Sequence, residues 1–175
     1  MGVFGTKQSA TRYDSVKQEW ETPPDLFAPL DAEFHFTLDA AADAKNTKAK
    51  EFYTAEQDGL KQNWGTHTVW VNPPYGDGSS KLKDWVDKAC MSARFGATVV
   101  MLIPARTNTN WFHDYCLQFG EVRFLRGRPK FIGCNHGLPQ PLCLIIFRPP
   151  SSTRDEMLEM ESRERPYPFG NRPFI

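Results

Sequence analysis

The amino-acid sequence predicts an α/β fold built on an open, mostly parallel β-sheet with an antiparallel C-terminal strand. Strand-like and helix-like segments alternate along most of the chain, which is typical of parallel strands joined by helical crossovers. The segment from Ala97 to Ile103 is almost continuously apolar and rich in β-branched residues, as expected of a strand covered on both faces. Two later strand candidates, Glu121 to Leu125 and Leu142 to Phe147, follow each other with no helix between them, which indicates an antiparallel end to the sheet.

The other elements follow from periodicity and from residues that stop regular structure. Phe34 to Leu38 is predicted to be the first strand. Thr68 to Val71 is predicted to be another, which ends because the following Asn-Pro-Pro sequence cannot continue a ladder. Apolar residues recur at helical spacing in Lys81 to Ala93, which predicts an amphipathic helix, and Trp111 to Phe119 is predicted to be helical as well. In such a sheet, ligands bind beyond the carboxyl ends of the strands.

Chain length indicates one folded domain. The chain has 175 residues, of which 40% are hydrophobic, an ordinary globular balance. We place the folded body at residues 19–149, between a largely polar N-terminal extension, 1–18, and a C-terminal tail, 150–175, that mixes Pro, Ser and both charge signs.

Charge and cysteine usage limit the partners and the compartment. Lys and Arg total 21 and Asp and Glu total 21, so a polyanionic partner must be met by a local basic patch. The four cysteines contain no Cys-x-x-Cys pair, which favours reduced thiols and no bound metal. The N-terminus carries no apolar signal segment and the longest apolar run is too short to cross a bilayer, so we expect a cytoplasmic protein with no membrane partner.

The most specific local feature is the tetrapeptide Asn72-Pro73-Pro74-Tyr75, which follows a predicted central strand. A turn explains Asn72 and Pro73 but neither Tyr75 nor the location. A chemical interpretation starts from an amino group conjugated with an aromatic ring, which is a poor nucleophile because its lone pair is delocalised. The Asn72 side-chain oxygen and the Pro73 carbonyl would accept from its N–H bonds, the prolines would hold these acceptors in place, and Tyr75 would stack on a planar substrate.

This tetrapeptide resembles motif IV of S-adenosylmethionine-dependent amino-methyltransferases, the group that includes DNA N6-adenine methyltransferases. The small phage-type Dam family is similar along Glu19 to Pro149, through the series ETPPDLF, TLDAAAD, DGLKQNW, VWVNPPYG, MLIPARTNTNWFHDY, RFLRGRPKF and LCLIIFRP. The resemblance implies a single-domain, Rossmann-like S-adenosylmethionine-dependent methyltransferase fold. It also implies S-adenosyl-L-methionine as methyl donor and a catalytic role for Asn72, Pro73, Pro74 and Tyr75.

Two further blocks imply contacts with the methionine end of that cofactor. Glu21-Thr22-Pro23-Pro24 resembles motif X, whose Thr helps to hold the carboxylate. A helix start with Thr22 as N-cap is an equal and compatible interpretation. Leu38-Asp39-Ala40-Ala41 resembles motif I, whose acidic residue meets the amino end, so Asp39 and Ala41 are predicted cofactor contacts. Alanines occupy the positions at which that motif usually has glycines. The side chains are therefore still small, but the backbone lacks the freedom of glycine to adopt positive φ angles.

The remaining cofactor candidates are an acidic residue and two tryptophans. Asp58-Gly59-Leu60 resembles the acidic element near the cofactor adenine, whose carboxylate accepts from the exocyclic amine. A plain Asp-Gly turn is the alternative. Trp20 and Trp64 pack against either the cofactor or the core, and Trp20 is taken as a cofactor contact.

A basic segment, Glu121 to Phe131, is the predicted nucleic-acid surface, with a local charge of +3. Its basic residues are Arg123, Arg126, Arg128 and Lys130. The resemblance of RGRPKF to the same family favours DNA contact over the alternative, an edge strand protected by charge. Phe131 is a candidate for stacking on a base. Arg106 would face the same cleft, whereas His113 is interpreted as a helix-surface residue.

These features together predict a DNA adenine N6-methyltransferase acting on double-stranded DNA. The N6 of a stacked adenine cannot reach a methyl donor in a protein cleft, so the base must be flipped out. Two alternatives remain: a methyltransferase of RNA or of a protein glutamine, and a catalytically inactive nucleic-acid-binding protein on this fold. An origin in a phage or prophage within a bacterial host cell fits the resemblance. A monomer suffices, and sequence selectivity would depend on loops such as Gly76 to Ser80 and Gly133 to Pro141.

Overall fold

The computed structural model describes residues 21–75, 79–132 and 140–150, with the backbone alone for residues 79–81. The extension 1–18, Trp20, most of the two predicted selectivity loops and residues 151–175 of the tail lie outside the described residues. The described elements are α1 Pro24–Phe34, β1 Leu38–Asp39, β2 Glu51–Phe52, β3 Thr68–Val71, α2 Ser79–Arg94, β4 Thr98–Pro104, a π-helix Phe112–Leu117, β5 Glu121–Phe124 and β6 Leu142–Phe147. No helix within these ranges is both long enough and apolar enough to cross a membrane.

The strands form one six-stranded sheet in the order β2-β1-β3-β4-β6-β5. β1 pairs in parallel with β2 and β3, and β3 pairs in parallel with β4, whereas β6 is antiparallel to both β4 and β5. β6 is therefore the single reversed strand among the described ones, which confirms the predicted mostly parallel sheet with an antiparallel C-terminal strand. Because β1, β3 and β4 run in one direction, their carboxyl ends meet at one edge of the sheet.

Both faces of the sheet are covered. Val99, Met101 and Ile103 of β4 belong to a core cluster shared with α2 and the π-helix, while Val100 and Leu102 belong to a second cluster shared with α1. The residues of β4 after Thr98 are all buried, as the continuous apolar run predicts. This central strand holds the site in place, since each fully buried aliphatic side chain contributes roughly 1.5–3 kcal/mol.

The predicted bounds of the first strand are wrong. Phe34 is the last residue of α1, and β1 comprises only Leu38–Asp39. Leu30 and Phe34 lie four residues apart and therefore share one face of the helix, although Phe34 and Phe36 also alternate as in a strand. The helix takes Phe34, and His35 ends it in the left-handed conformation, at φ 57°.

The N-terminus of α1 corrects the interpretation of Thr22 as an N-cap. Pro23 is the N-cap residue, Pro24 is the first helical residue, and no side chain caps the helix. Thr22 is instead buried, 2% exposed, and lies against the cleft described below. The sequence also gave no indication of β2, whose two residues are half-exposed or exposed and too few to form a pattern.

Candidate functional site

A cleft of about 500 Å³ opens at the carboxyl edge of the sheet. The loops after β1, β2 and β3 form its walls, together with the segment that precedes α1. The predicted site residues that line it are Thr22, Asp39, Ala41, Asp58, Asn72 and Pro74. The fold therefore brings together four sequence blocks that are far apart along the chain.

Asp39, the last residue of β1, is the most deeply buried charge of the cleft, 3% exposed. Its Oδ1 accepts a hydrogen bond from the N–H of Ala41 at 3.3 Å, and its Oδ2 accepts one from the N–H of Lys48 at 3.0 Å. Burial raises the pKa of Asp39 to about 6, although these two N–H groups and the Lys48 charge act against the rise. A carboxylate in this environment is suited to bind a cationic group that enters the cleft, because the cation favours the charged form.

Gly59 allows the turn after β2 to pack against the alanine-rich loop after β1. A Cβ atom on Gly59 would lie 2.1 Å from the carbonyl oxygen of Ala40 and 3.0 Å from the Trp85 ring. Glycine is therefore required here for space. The carbonyl of Gly59 accepts a hydrogen bond from Nε1 of Trp64 at 2.9 Å, and Trp64 is fully buried, so Trp64 belongs to the core.

Asp58, the other acidic candidate, lines the same cleft with its carboxylate held by its own turn. Its Oδ1 accepts from the N–H of Leu60 at 3.3 Å, and its Oδ2 lies 3.0 Å from Nζ of Lys61. The hydrogen bond from Lys61 holds the pKa of Asp58 below its ordinary value. Asp58 therefore forms the Asp-Gly turn and also lines the cleft, so the structure is compatible with both interpretations of this residue.

Asn72 follows β3 and its side-chain amide is oriented from both sides. Its Nδ2 donates to the hydroxyl of Thr22 at 3.3 Å, and its Oδ1 accepts from the hydroxyl of Tyr75 at 3.0 Å. The Tyr75 hydroxyl also lies 3.2 Å from the carbonyl oxygen of Leu102 in β4. A direct hydrogen bond therefore joins the segment before α1 to the residue that follows β3, and the amide oxygen and nitrogen of Asn72 have defined directions.

Tyr75 and Pro73 are buried, whereas Pro74 is exposed on the cleft wall. Tyr75 is 8% exposed and its ring packs in the cluster on the α1 face of the sheet. Burial raises the pKa of its hydroxyl well above the ordinary value, so this group is a hydrogen-bond donor to Asn72 at neutral pH. Its role in stacking on a substrate stays a prediction.

Two residues of the cleft to which the sequence interpretation gave no role form an ion pair. Nζ of Lys48 lies 2.8 Å from Oε1 of Glu21, and the Lys48 side chain is only 15% exposed. The carbonyl of Glu21 accepts from the N–H of Ile132 at 3.1 Å, which ties this segment to the end of the basic segment. Lys48 lies in the loop between β1 and β2, and no sequence pattern indicated that this loop returns to Asp39.

The basic segment presents three exposed cations, Arg126, Arg128 and Lys130. Arg123 differs from them, because its guanidinium pairs with both carboxylate oxygens of Glu33, at 2.7 and 2.8 Å, and with Glu121. These carboxylates raise the pKa of Arg123, which stays charged in any case. Arg123 therefore joins α1 to β5, and its assignment to DNA stays a prediction.

Phe131, the stacking candidate, is 2% exposed. It belongs to the same core cluster as Trp70 and Tyr75. Stacking on a base would require its ring to leave this cluster, so that role also stays a prediction.

Arg106 lines a second cavity of about 340 Å³ at the carboxyl end of β4, between the loop after β4 and the residues before β6. The Thr109 hydroxyl donates to the carbonyl of Arg106 at 2.8 Å, and Nε2 of His113 lies 2.7 Å from the carbonyl oxygen of Thr107, so it donates there. These bonds fix the shape of the loop. Within the described ranges, no carboxylate pairs with Arg106.

The chain matches a known family along most of its length. A model of the DNA N-6-adenine-methyltransferase (Dam) family matches residues 8–162. The chain belongs to this family. The DNA N-6-adenine-methyltransferase of Haemophilus phage HP1 is 33% identical over 153 residues, which cover 82% of this chain and 85% of the phage protein.

Two other relatives match shorter regions of this Dam-family chain. The DNA N-6-adenine-methyltransferase of Escherichia phage T1 is 37% identical over 111 residues, 62% of this chain and 45% of the phage protein. The putative methyltransferase YfdM of Escherichia coli K12 is 33% identical over 67 residues, 34% of this chain and 74% of that protein. The matched region thus spans less than half of the T1 protein and most of the HP1 protein.

Proposed function

We propose that this protein transfers a methyl group from S-adenosylmethionine to N6 of a flipped-out adenine in double-stranded DNA. The observation that carries the proposal is the position of Asn72. Asn72 follows β3 and lines the same cleft as Asp39, and hydrogen bonds to Tyr75 on one side and Thr22 on the other hold its side-chain amide. Family membership and the names of the two phage relatives support the same activity.

The cleft fits the proposed cofactor in size and in charge. A volume of about 500 Å³ lies within the range of roughly 300–1,000 Å³ found for small-molecule sites. When bound, S-adenosylmethionine supplies a methyl group on a sulfonium sulfur, which leaves as a neutral thioether. Asp39 would accept from the α-ammonium group, and Asp58 from the exocyclic amine of the adenine.

Asn72 would prepare the substrate nitrogen for attack. An amide oxygen can accept two hydrogen bonds, so Oδ1 can accept from Tyr75 and from the substrate amine. The Pro73 carbonyl would accept from the second N–H, and the two prolines limit backbone motion at this point. These acceptors direct the nitrogen lone pair toward the methyl group, and after transfer the alkylated nitrogen loses its proton to water.

The DNA would lie across the carboxyl edge of the sheet. Arg126, Arg128 and Lys130 are exposed and suited to phosphate contacts, while Arg106 lies in the second cavity at the end of β4. A phage-type enzyme of this kind would act on DNA inside the bacterial host cell. One strand can be methylated at a time by a single copy of the chain.

A label-transfer assay tests the proposal. The protein is incubated with tritiated S-adenosylmethionine and unmethylated plasmid DNA, RNA or a protein mixture, and each product is digested and separated. We expect label in N6-methyldeoxyadenosine from the DNA. Label confined to RNA or protein would contradict the DNA substrate, and binding of DNA without label in any product would contradict the enzymatic activity.

A further inference from the structure

We propose that Lys48 binds the carboxylate of the methionine end of the cofactor, opposite Asp39, so that the two residues form a pair for a zwitterionic α-amino acid group. This inference rests on the proposed function, because it concerns the same cofactor. It adds a positively charged binding residue to a cleft in which sequence motifs indicated only Thr22 for the carboxylate.

The main chain of Lys48 lies against the side chain of Asp39. The backbone N–H of Lys48 donates to Oδ2 of Asp39 at 3.0 Å, so the main chain of one residue is fixed to the side chain of the other. Both residues line the same cleft. A ligand that places its ammonium group on Asp39 therefore has its neighbouring carboxylate within the same part of the cleft as Lys48.

The residues that line the cleft are mostly acidic where they are charged. Among the described residues that line it, the charged ones are Lys48 and the acids Glu21, Asp39, Asp43, Glu56 and Asp58. A ligand carboxylate is repelled by five of these groups and attracted by one. Among the described residues that line the cleft, Lys48 is accordingly the one whose positive charge can offset the negative charge of the ligand carboxylate.

An ion pair holds the ammonium group of Lys48 in place. Its Nζ lies 2.8 Å from Oε1 of Glu21 and its side chain is only 15% exposed, so it does not extend into solvent. An ammonium group has three N–H donors, and the bond to Glu21 uses one of them. Glu21 thus positions the ammonium group, and the adjacent Thr22 lines the same cleft.

A structural ion pair is the competing explanation, since Lys48 and Glu21 also join two segments of the fold. The two explanations differ in what Lys48 recognises. A carboxylate-binding residue distinguishes a free carboxylate from its ester, whereas a purely structural residue affects both ligands to the same extent.

The test is isothermal titration of the full chain with S-adenosylhomocysteine and with its carboxyl methyl ester. We expect the unmodified protein to bind the free acid about 10- to 100-fold more tightly than the ester, because the ester cannot form the charge-assisted hydrogen bond with Lys48. Lys48→Met should lose most of this preference by weakening binding of the free acid alone. Lys48→Arg should retain part of it, and the exposed Lys50→Met is the matched control with no change.

If the unmodified protein binds the free acid and the ester with equal affinity, the inference is overturned without any variant. It is also overturned if Lys48→Met loses the same amount of affinity for both ligands. Both outcomes leave the proposed function intact, because they still show cofactor binding. Failure of the unmodified protein to bind S-adenosylhomocysteine at all would instead overturn the proposed function and this inference together.

Discussion

The hydroxyl of Tyr75 donates to the amide oxygen of Asn72 across 3.0 Å, inside a motif that sequence alone interprets as an acceptor followed by a stacking ring. The tyrosine ring is buried in the core, so what reaches the site is its hydroxyl. Tyr75 therefore orients Asn72, and this function is separable from stacking by a single substitution.

Tyr75→Phe keeps the ring and removes the donor. We expect the methyl-transfer rate to fall about 10- to 100-fold, the effect of losing one oriented hydrogen bond of about 1.4–2.8 kcal/mol in the transition state. The affinity for S-adenosylhomocysteine should change less than about twofold. Single-turnover transfer to DNA measures the rate, and Tyr115→Phe, outside the cleft, is the control. A fully active Tyr75→Phe enzyme would show that the ring alone suffices.

Cofactor binding should depend on pH through Asp39. The pKa of this carboxyl is raised to about 6 by burial, and an ammonium ligand binds its ionised form. Affinity for S-adenosylhomocysteine should therefore rise as pH increases from 5 toward 7 and level off above that range. The slope below the pKa should approach about tenfold per pH unit, because binding there releases a proton.

Titration calorimetry across this pH range measures the effect. Asp39→Asn should bind weakly and show no such pH dependence. If the affinity of the unmodified protein does not change with pH, and Asp39→Asn binds S-adenosylhomocysteine as tightly, Asp39 does not bind the ammonium group.

Gly59→Ala should damage both the fold and the cleft. The added Cβ would meet the backbone oxygen of Ala40 at 2.1 Å, and backbone cannot move aside as a flexible side chain can. We expect a loss of stability of more than about 2 kcal/mol, in the range of overpacking in a core, together with weaker S-adenosylhomocysteine binding. Urea unfolding measures the stability.

Gly65→Ala is the matched control for this substitution. Gly65 has a positive φ of 52° but no atom closer than 3.8 Å to its added Cβ, so the cost should be about 1 kcal/mol and cofactor binding should be retained. Equal effects of the two substitutions would contradict a role of Gly59 in spacing the two loops.

Arg126 and Arg123 should respond differently to replacement by alanine. Arg126 is exposed, and its loss should weaken DNA binding for all sequences and reduce the slope of log K against log salt by about 1. Arg123 is paired with Glu33 and Glu121, so its loss should lower the thermal midpoint with a smaller change in the salt slope. Fluorescence anisotropy at several salt concentrations measures the slope. An unchanged slope in Arg126→Ala would remove Arg126 from the phosphate contacts.

Sequence predicted the sheet well where the signal is local. β3 and β6 have the predicted bounds, because an Asn-Pro-Pro stop and a six-residue apolar run define them. Phe34 was assigned to a strand because helical and strand periodicities overlap there, and tertiary packing decides between them. The helix after β4 is confirmed, but its π-helical geometry over Phe112–Leu117 has no signal in composition or spacing.

The site was less predictable than the fold, for a physical reason. The sequence predicts roles for Asp39 and Asn72 because Asp39 ends β1 and Asn72 follows β3, at the edge of the sheet where ligands bind. It predicts none for Lys48 and Glu21, because their proximity depends on how two irregular segments fold back on the cleft. The same holds for Arg123, whose partner Glu33 lies 90 positions away in the chain.

Asn72→Ala removes the side-chain acceptor for the substrate amine, and its effect is measured by single-turnover methyl transfer to plasmid DNA and by S-adenosylhomocysteine affinity on the same preparation. The exposed Asn110→Ala serves as control. We expect Asn72→Ala to abolish formation of N6-methyldeoxyadenosine while cofactor affinity stays within about threefold, a change of less than about 1 kcal/mol. Methyl transfer at an undiminished rate in Asn72→Ala would contradict this expectation.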